Sequence, residues 1–174
     1  MRSETHNGLD SAMDTPPQSF LNLSPGAKLL YLYLLGRQET SWTYDELERC
    51  IGATPSALLA NANELDALGV LRYTQGDGGR PPAASPAKLK VIKKLYRLGR
   101  VSELPDTLLG ERITLKLVWL YLVRVGETLT TPDISKDLGL SWLATYNAVK
   151  DLNKLELVET TGKRPLKHKA RTGI

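Results

Sequence analysis

The sequence has little of the material that enzymes use for catalysis. It contains one cysteine, Cys50, and two histidines, His6 and His168. Neither histidine lies at a motif spacing from a carboxylate pair or a nucleophile, which excludes the common acid–base and nucleophilic sites. One cysteine and two separated histidines cannot form a zinc site. We therefore expect a protein that is not an enzyme and that has no metal and no cofactor.

Long apolar runs are also absent. No run approaches the roughly 20 residues that a membrane-spanning helix needs, and the polar N-terminus lacks the apolar segment of a signal peptide. A single cysteine excludes an internal disulfide and fits a reducing compartment. These absences predict a cytoplasmic protein without a membrane partner, in which residues 1–22 form a disordered leader.

Positive charge is concentrated in two short segments. Residues 1–80 hold 6 Lys/Arg against 10 Asp/Glu, and residues 101–161 hold 6 against 9. By contrast, residues 81–100 hold 6 Lys/Arg and residues 162–174 hold 5, with no acidic residue in either segment. Cations gathered in linkers and tails beside mildly acidic cores are typical of proteins that contact phosphate through those segments. The alternative is that these cations only keep the protein soluble.

The chain contains an internal repeat. Residues 28–35 align with residues 116–123 at an offset of 88, and residues 45–52 align with residues 132–139 after a one-residue deletion. A period this long indicates two copies of a small domain, because solenoid repeats have periods of roughly 20–50 residues. Each copy is close to the lower size limit for a stable core, so we expect the copies to pack on each other or on a partner. Three further apolar positions coincide: Leu65, Leu68 and Val70 with Leu152, Leu155 and Leu157.

Helix-capping residues divide each copy into three helices and a strand. In the first copy, caps at Ser24, Thr43 and Thr54 and the glycine stops predict helices over Pro25–Arg37, from Thr43 to Gly52 and over Pro55–Leu68, then a strand over Val70–Thr74 and a Gly-rich loop. In the second copy, they predict helices over Leu109–Val125, from Thr130 or Thr131 to Gly139 and from Ser141 to Leu155, then a strand over Leu157–Thr160 and a basic loop from Gly162.

Residues 88–94 allow two interpretations. As a helix they place Leu89, Ile92 and Leu95 on one side and lysines on the other. As a strand they form the return limb of a hairpin that begins at Val70. Periodicity over so short a span does not decide between the two; we favour a helix that links the copies.

This order of elements resembles the winged-helix family of DNA-binding domains, including bacterial MarR-like regulators. The resemblance is carried by residues 47–54 and 134–141, each of which runs through a glycine turn to a cap before the third helix. It implies a mainly α fold with small β-wings, arranged as two tandem winged-helix domains. The domain prediction is a leader at 1–22, a first domain at 23–80, a basic linker at 81–105 with either return strand or helix, and a second domain at 106–174 with a basic tail.

In this family the third helix docks in the major groove of DNA, so the resemblance implies DNA contacts from its outward residues. In the second copy these are Trp142, Tyr146, Asn147 and Lys150, where Asn147 suits an adenine edge and Lys150 suits guanine or phosphate. For Trp142, stacking on sugar and packing against the other domain are alternatives.

The third helix of the first copy has weaker chemistry for DNA. Ser56 and Asn63 could contact bases, but no cation occurs between Ala53 and Leu71. A supporting DNA role and a protein interface are therefore both open for the first domain. The cations expected to contact phosphate or the minor groove lie in the wings, linker and tail: Arg80, Lys88, Lys90, Lys93, Lys163, Arg164, Lys167 and Lys169.

The sequence thus predicts a sequence-specific double-stranded DNA-binding protein. The family suggests a nucleoid-associated transcriptional regulator of a plasmid, phage or other mobile element, acting as a single chain or as a homodimer. The alternatives are a plasmid replication or partition protein and a winged-helix adaptor that binds protein in the transcription or transfer machinery.

Overall fold

The computed structural model describes residues 16–37, 42–74, 88–91 and 98–172. In this part of the chain the protein is mainly helical, with short strands in two small antiparallel sheets. The helices are α1 (Gln18–Leu21), α2 (Pro25–Leu34), α3 (Tyr44–Ile51), α4 (Pro55–Ala67), α5 (Asp106–Leu109), α6 (Ile113–Val125), α7 (Thr131–Leu138) and α8 (Trp142–Lys154). The strands are β1 (Leu71–Thr74), β2 (Lys88–Val91), β3 (Leu129–Thr130), β4 (Val158–Thr161) and β5 (Lys167–Ala170).

The same order of elements occurs twice. We call residues 17–91 the first half and residues 105–172 the second half. Helices α3 and α4 and strand β1 of the first half have the lengths of α7, α8 and β4 in the second, each displaced by 87 residues. The strands also correspond in detail, because the isolated bridge between Trp42 and Leu89 matches the pairing of Leu129 with His168.

Side-chain caps explain where the helices begin, as the sequence predicted. Ser24 and Ser141 accept hydrogen bonds from backbone N–H groups of the first turns of α2 and α8. Thr43 and Thr130 each form a reciprocal capping box, with Glu46 and Asp133 respectively. These bonds satisfy N–H groups that have no partner within the helix.

Glycines in the left-handed conformation end α3 and α7. Gly52 has φ of 67° and Gly139 has φ of 61°. A residue with a side chain adopts this conformation only at a cost, so glycine is favoured where a helix must stop sharply. The chain then turns directly into α4 or α8.

Three predictions of local structure need correction. Residues 18–21 of the expected disordered leader form α1, because the ring of Phe20 is buried in the core. The helix expected from Leu109 is interrupted, since α5 ends at Leu109 and α6 begins at Ile113. The helix interpretation of residues 88–94 is wrong for Lys88–Val91, which pair with β1 as a strand; residues 92–97 lie outside the described residues.

The segment before the second half is tied to α2, although the sequence suggested a linker. Arg37 donates hydrogen bonds to the Glu103 carboxylate and to the Ser102 carbonyl oxygen. The Tyr33 hydroxyl donates a hydrogen bond to the same carboxylate, and the Arg37 guanidinium lies 3.8 Å from the centre of the Tyr33 ring. Leu104 is buried. Residues 102–104 therefore pack on the first half.

The two halves pack through α2 and α6, which are buried along most of their length. Helix α4 packs on α2, and α8 packs on α6, so the packing runs from α4 through α2 and α6 to α8. This arrangement explains why the apolar runs of α2 and α6 cover nearly the whole helix surface, since each helix contacts neighbours on several sides. Burial of this apolar surface stabilises the pair of halves together.

Two buried lysines join the halves reciprocally. Lys28 of α2 donates a hydrogen bond of 2.7 Å to the Leu138 carbonyl oxygen at the end of α7. Its counterpart Lys116 of α6 donates one of 3.0 Å to the Gly52 carbonyl oxygen at the end of α3. Desolvation by burial lowers the pKa of both ammonium groups, and nearby Glu64 and Glu111 oppose that effect. Each cation thus meets the partially negative end of a helix in the other half.

A third buried cation joins the halves, but it has no counterpart in the first half. Arg124 of α6 donates hydrogen bonds to the carbonyl oxygens of Leu32 and Leu35 at the end of α2. Burial is the largest effect that lowers its pKa, to about 10, so the guanidinium remains charged at neutral pH. The equivalent residue of the first half is Gly36. A Cβ atom built on Gly36 would lie 3.4 Å from a nitrogen of the Arg124 guanidinium. The interface is therefore pseudo-symmetric, with a local exception.

The short first helices complete the interface. A Cβ atom built on Gly52 would lie 2.0 Å from the carbonyl oxygen of Leu109, the last residue of α5. A Cβ atom on Gly139 would lie 3.1 Å from the carbonyl oxygen of Leu21, the last residue of α1. Each glycine turn is thus covered by the end of the first helix of the opposite half.

We predict that Gly52→Ala destabilises the protein far more than Gly69→Ala. Both glycines have nearly the same φ, 67° and 68°, but a Cβ on Gly69 has nothing within 4 Å. Gly69→Ala should lower the free energy of unfolding by about 1–2 kcal/mol, the cost of the left-handed conformation. Gly52→Ala adds a backbone collision and should cost at least about 2 kcal/mol more. Urea unfolding measures both; equal reductions would show that α5 does not pack rigidly on this turn.

Candidate nucleic-acid interface

Helix α8 has one packed face and one exposed face. Thr145, Ala148, Val149 and Leu152 are buried against the rest of the second half. The Ser141 cap and the preceding Gly139 turn fix where the helix begins. Because the packed residues recur at helical spacing, the opposite face is left to solvent.

The exposed face of α8 begins with large apolar side chains. Trp142, Leu143 and Tyr146 are 53%, 61% and 41% exposed. The rings of Trp142 and Tyr146 stack with centroids 5.0 Å apart and an interplanar angle of 11°. The Trp142 ring thus lies on Tyr146 of its own helix and is about half open to solvent.

The polar candidates on α8 continue along this face. Lys150 is exposed and Asn147 is partly buried. Asp151, the carboxylate nearest to them in sequence, is paired with Arg112 and, at 3.2 Å, with Lys154. The negative charge of Asp151 is therefore compensated by its own partners, and Lys150 is an exposed cation on the same side of α8 as Trp142 and Tyr146. Trp142, Tyr146 and Lys150 are thus exposed on one side of α8, and Asn147 lies partly buried beside them.

The equivalent face of α4 is exposed but uncharged near its start. Ser56 is exposed at the first turn and Asn63 is exposed farther along, with Leu59, 39% exposed, between them. Glu64 of this helix accepts hydrogen bonds from the backbone N–H and the hydroxyl of Ser24. Its carboxylate therefore stabilises the start of α2.

The hairpin of β4 and β5 carries the basic candidates of the second half. Lys163 and Arg164 are exposed in its turn, and Lys167 and Lys169 are exposed on β5, where they alternate with buried His168 and Ala170. Strand β5 lies between β4 and β3, so that Lys167 pairs with Thr130, the cap of α7. Asn153 of α8 donates hydrogen bonds to the Val158 carbonyl oxygen and the Thr160 hydroxyl. The hairpin is thereby attached to both α7 and α8.

The basic candidates of the first half are only partly described. Lys88 and Lys90 occupy alternate positions of β2, in register with Thr74 and Arg72. Arg80 and Lys93 lie outside the described residues.

His168 is a structural residue, although the sequence suggested that it belongs to a basic tail. Its ring is buried between Thr131 and Thr160, with each ring nitrogen 3.0 Å from one of the two hydroxyl oxygens. Burial lowers the pKa of His168 below its usual value of 6.5. The equivalent position in the first half is Leu89, which is also buried. Alternation of Lys167, His168, Lys169 and Ala170 was the sequence signal for a half-buried strand.

Membrane spans and metal clusters are absent from the described part of the chain. Among these residues, no helix has both the length and the apolar content needed to cross a bilayer. Within the same ranges, no group of three or more His, Cys, Asp or Glu side chains is arranged to hold a metal ion.

We predict that His168 makes stability depend on pH in mildly acidic solution. Because the folded-state pKa lies below 6.5, the unfolded chain binds more protons there, and stability falls as the pH drops below 6.5 toward that pKa. For a single group the slope has an upper limit of about 1.4 kcal/mol per pH unit. Urea unfolding between pH 7.5 and pH 5 measures the slope. His168→Leu, the residue of the first half, should remove most of it; an unchanged slope would assign the effect to other groups.

Comparison with known proteins gives no independent assignment. No protein-family model matches the chain, and no curated protein shows significant similarity to it. The geometry of α8 and of the β4–β5 hairpin therefore carries the functional inference.

Proposed function

We propose that the protein binds double-stranded DNA in a sequence-specific manner, with two tandem winged-helix domains formed by its two halves. In this proposal α8 is the recognition helix and the β4–β5 hairpin is the wing of the second domain. The biological setting that we propose is transcriptional regulation, in the cytoplasm, on a plasmid, phage or other mobile element.

The observation that carries the proposal is the two-faced character of α8. A helix that enters the major groove must be held from behind and must present side chains of suitable chemistry in front. The packed residues of α8 provide the support, and Asn147 and Lys150 provide an amide and an ammonium group for base edges. The turn at Gly139 is further held by Lys28 and Leu21 of the first half.

The electrostatics of the hairpin support the same function. Lys163, Arg164, Lys167 and Lys169 are exposed in one turn and one strand. Contacts between such cations and phosphate release counterions, which makes binding fall steeply with salt. If about six of the basic residues contact phosphate, the slope of log affinity against log salt should be near −5.

Two other functions remain as second candidates. Plasmid replication initiation or partition would use the same DNA-binding surface. A protein adaptor role is favoured by a specific observation, the exposed and cation-free face of α4 with Leu59 at its centre. The first half could therefore bind a protein while the second binds DNA.

We predict that Asn147→Ala combined with Lys150→Ala removes sequence preference while leaving weak general affinity. Selection of bound duplexes from a randomised pool, followed by fluorescence anisotropy on selected and scrambled duplexes, measures both quantities. Removing a bidentate interaction with a base should reduce discrimination by about 1–3 kcal/mol. Lys154→Ala is the matched control, since Lys154 lies on the same helix but pairs with Asp151.

We predict that removing positive charge from the β4–β5 hairpin lowers the affinity for DNA without changing the preference among DNA sequences. Lys167→Gln with Lys169→Gln should weaken binding to all duplexes and flatten the salt dependence by about 0.9 for each phosphate that is no longer neutralised. If the intact protein binds no duplex at low salt, the DNA-binding proposal is wrong and the adaptor function takes its place.

A further inference from the structure

We propose that Trp142 and Tyr146 form a stacking platform for an unpaired base, so that the protein prefers nucleic acid with a base out of the helical stack. This inference rests on the proposed function, because it assigns a ligand to the exposed face of the same helix. The inference goes beyond the proposed function because it names an accessible base face as the ligand. Hydrogen bonds to base edges in the major groove do not require such a face.

The platform is made by two rings that are already stacked. Their planes differ by 11° and their centroids are 5.0 Å apart, so one face of the indole rests on Tyr146. Trp142 is nevertheless 53% exposed, which leaves the remaining indole surface to solvent. An ordered aromatic ring with an open surface can accept a base at low entropic cost, because its position is set before binding.

The chemistry of indole favours a base face as its ligand. Indole has a single N–H donor and no acceptor, so it has little capacity to distinguish base edges by hydrogen bonds. In a paired duplex the faces of internal bases are covered by their neighbours. An unpaired base exposes a face, and base–aromatic stacking then contributes substantially to binding.

An exposed cation, Lys150, lies on the same side of α8 as the two rings. Trp142, Tyr146 and Lys150 follow each other at intervals of four residues, which places them on one side of α8. Lys150 is about 12 Å along the helix axis from Trp142. A stacked strand rises by about 3.4 Å along its axis per nucleotide. The ammonium is therefore placed to contact a phosphate a few nucleotides from the stacked base.

This charge pattern distinguishes a nucleotide from an apolar protein surface. A protein partner that buried the rings would also have to desolvate Lys150 or provide a carboxylate for it. The nearby carboxylate of Asp151 is already paired with Arg112 and Lys154. The exposed side of α8 thus combines an aromatic surface with an exposed ammonium, which is the combination that proteins use to bind unstacked nucleotides.

The test compares three fluorescein-labelled oligonucleotides by anisotropy: a paired duplex, the same duplex with one bulged adenine, and its single strand. The full chain should bind the bulged duplex between about 5-fold and 150-fold more tightly than the paired one. Trp142→Leu should remove this preference, and Trp142→Phe should retain most of it. Leu143→Ala is the control for removal of exposed apolar surface without removal of a ring.

Tryptophan fluorescence provides a second measurement. Trp42 and Trp119 are buried, so Trp142 should account for most of the emission that acrylamide quenches. Bulged duplex should protect this emission, whereas paired duplex at equal saturation should protect it less.

The inference is overturned if the full chain shows no preference for the bulge, if Trp142→Leu keeps it, or if Leu143→Ala abolishes it equally. Self-association that depends on Trp142, with no bulge preference, would instead identify the rings as a protein contact. These failures are distinct from failure of the proposed function, which appears as absence of sequence preference among paired duplexes.

Discussion

The packing of the two halves depends on two reciprocal hydrogen bonds, each donated by a buried lysine of one half to the other half. Lys28 and Lys116 are buried, and each places its ammonium on a carbonyl oxygen at the end of a helix in the opposite half. A buried ammonium without a partner is costly, whereas the unpaired carbonyls at a helix end form a favourable site for positive charge. The same helix ends lead into the turns before α4 and α8. Separation of the halves would therefore expose both lysines and loosen both turns, so the orientation of α8 depends on the first half as well as on the second.

Much of the local structure follows from side chains that act over three or four residues. Ser24, Thr43 and Ser141 were recognised as caps from their spacing alone, because a capping bond joins atoms that are close in sequence. The surface of α8 could likewise be predicted, since a 13-residue helix with regular apolar positions has a defined outward face. The stacking of Trp142 on Tyr146 was missed, although their four-residue spacing permits it.

Other features depend on residues that are distant in sequence. The strand over Lys88–Val91 is defined by pairing with β1, and a four-residue segment lacks sufficient periodicity to reveal it. Lys28 and Leu138 are 110 residues apart, so no local pattern indicates their contact. Helix α1 could have been found by a different signal, because the 88-residue offset aligns Phe20 with Leu108 and both are buried. His168 differs again, since its burial follows from the alternation within β5 but its two hydroxyl partners come from α7 and β4.

The repeat preserves the interior and changes the surface. Where the halves differ at exposed positions of the third helix, the first has Pro55, Leu59 and Asn63, and the second has Trp142, Tyr146 and Lys150. The two helices therefore share a supporting scaffold but not a binding chemistry, and one ligand is not expected to meet them equally. Helix α2 packs on α6, which supports α8, and Lys28 of α2 bonds to the end of α7 just before α8. The first half therefore contributes to the proposed DNA surface mainly by holding α8 in place. The exposed, cation-free face of α4 therefore differs in chemistry from the proposed DNA surface of α8.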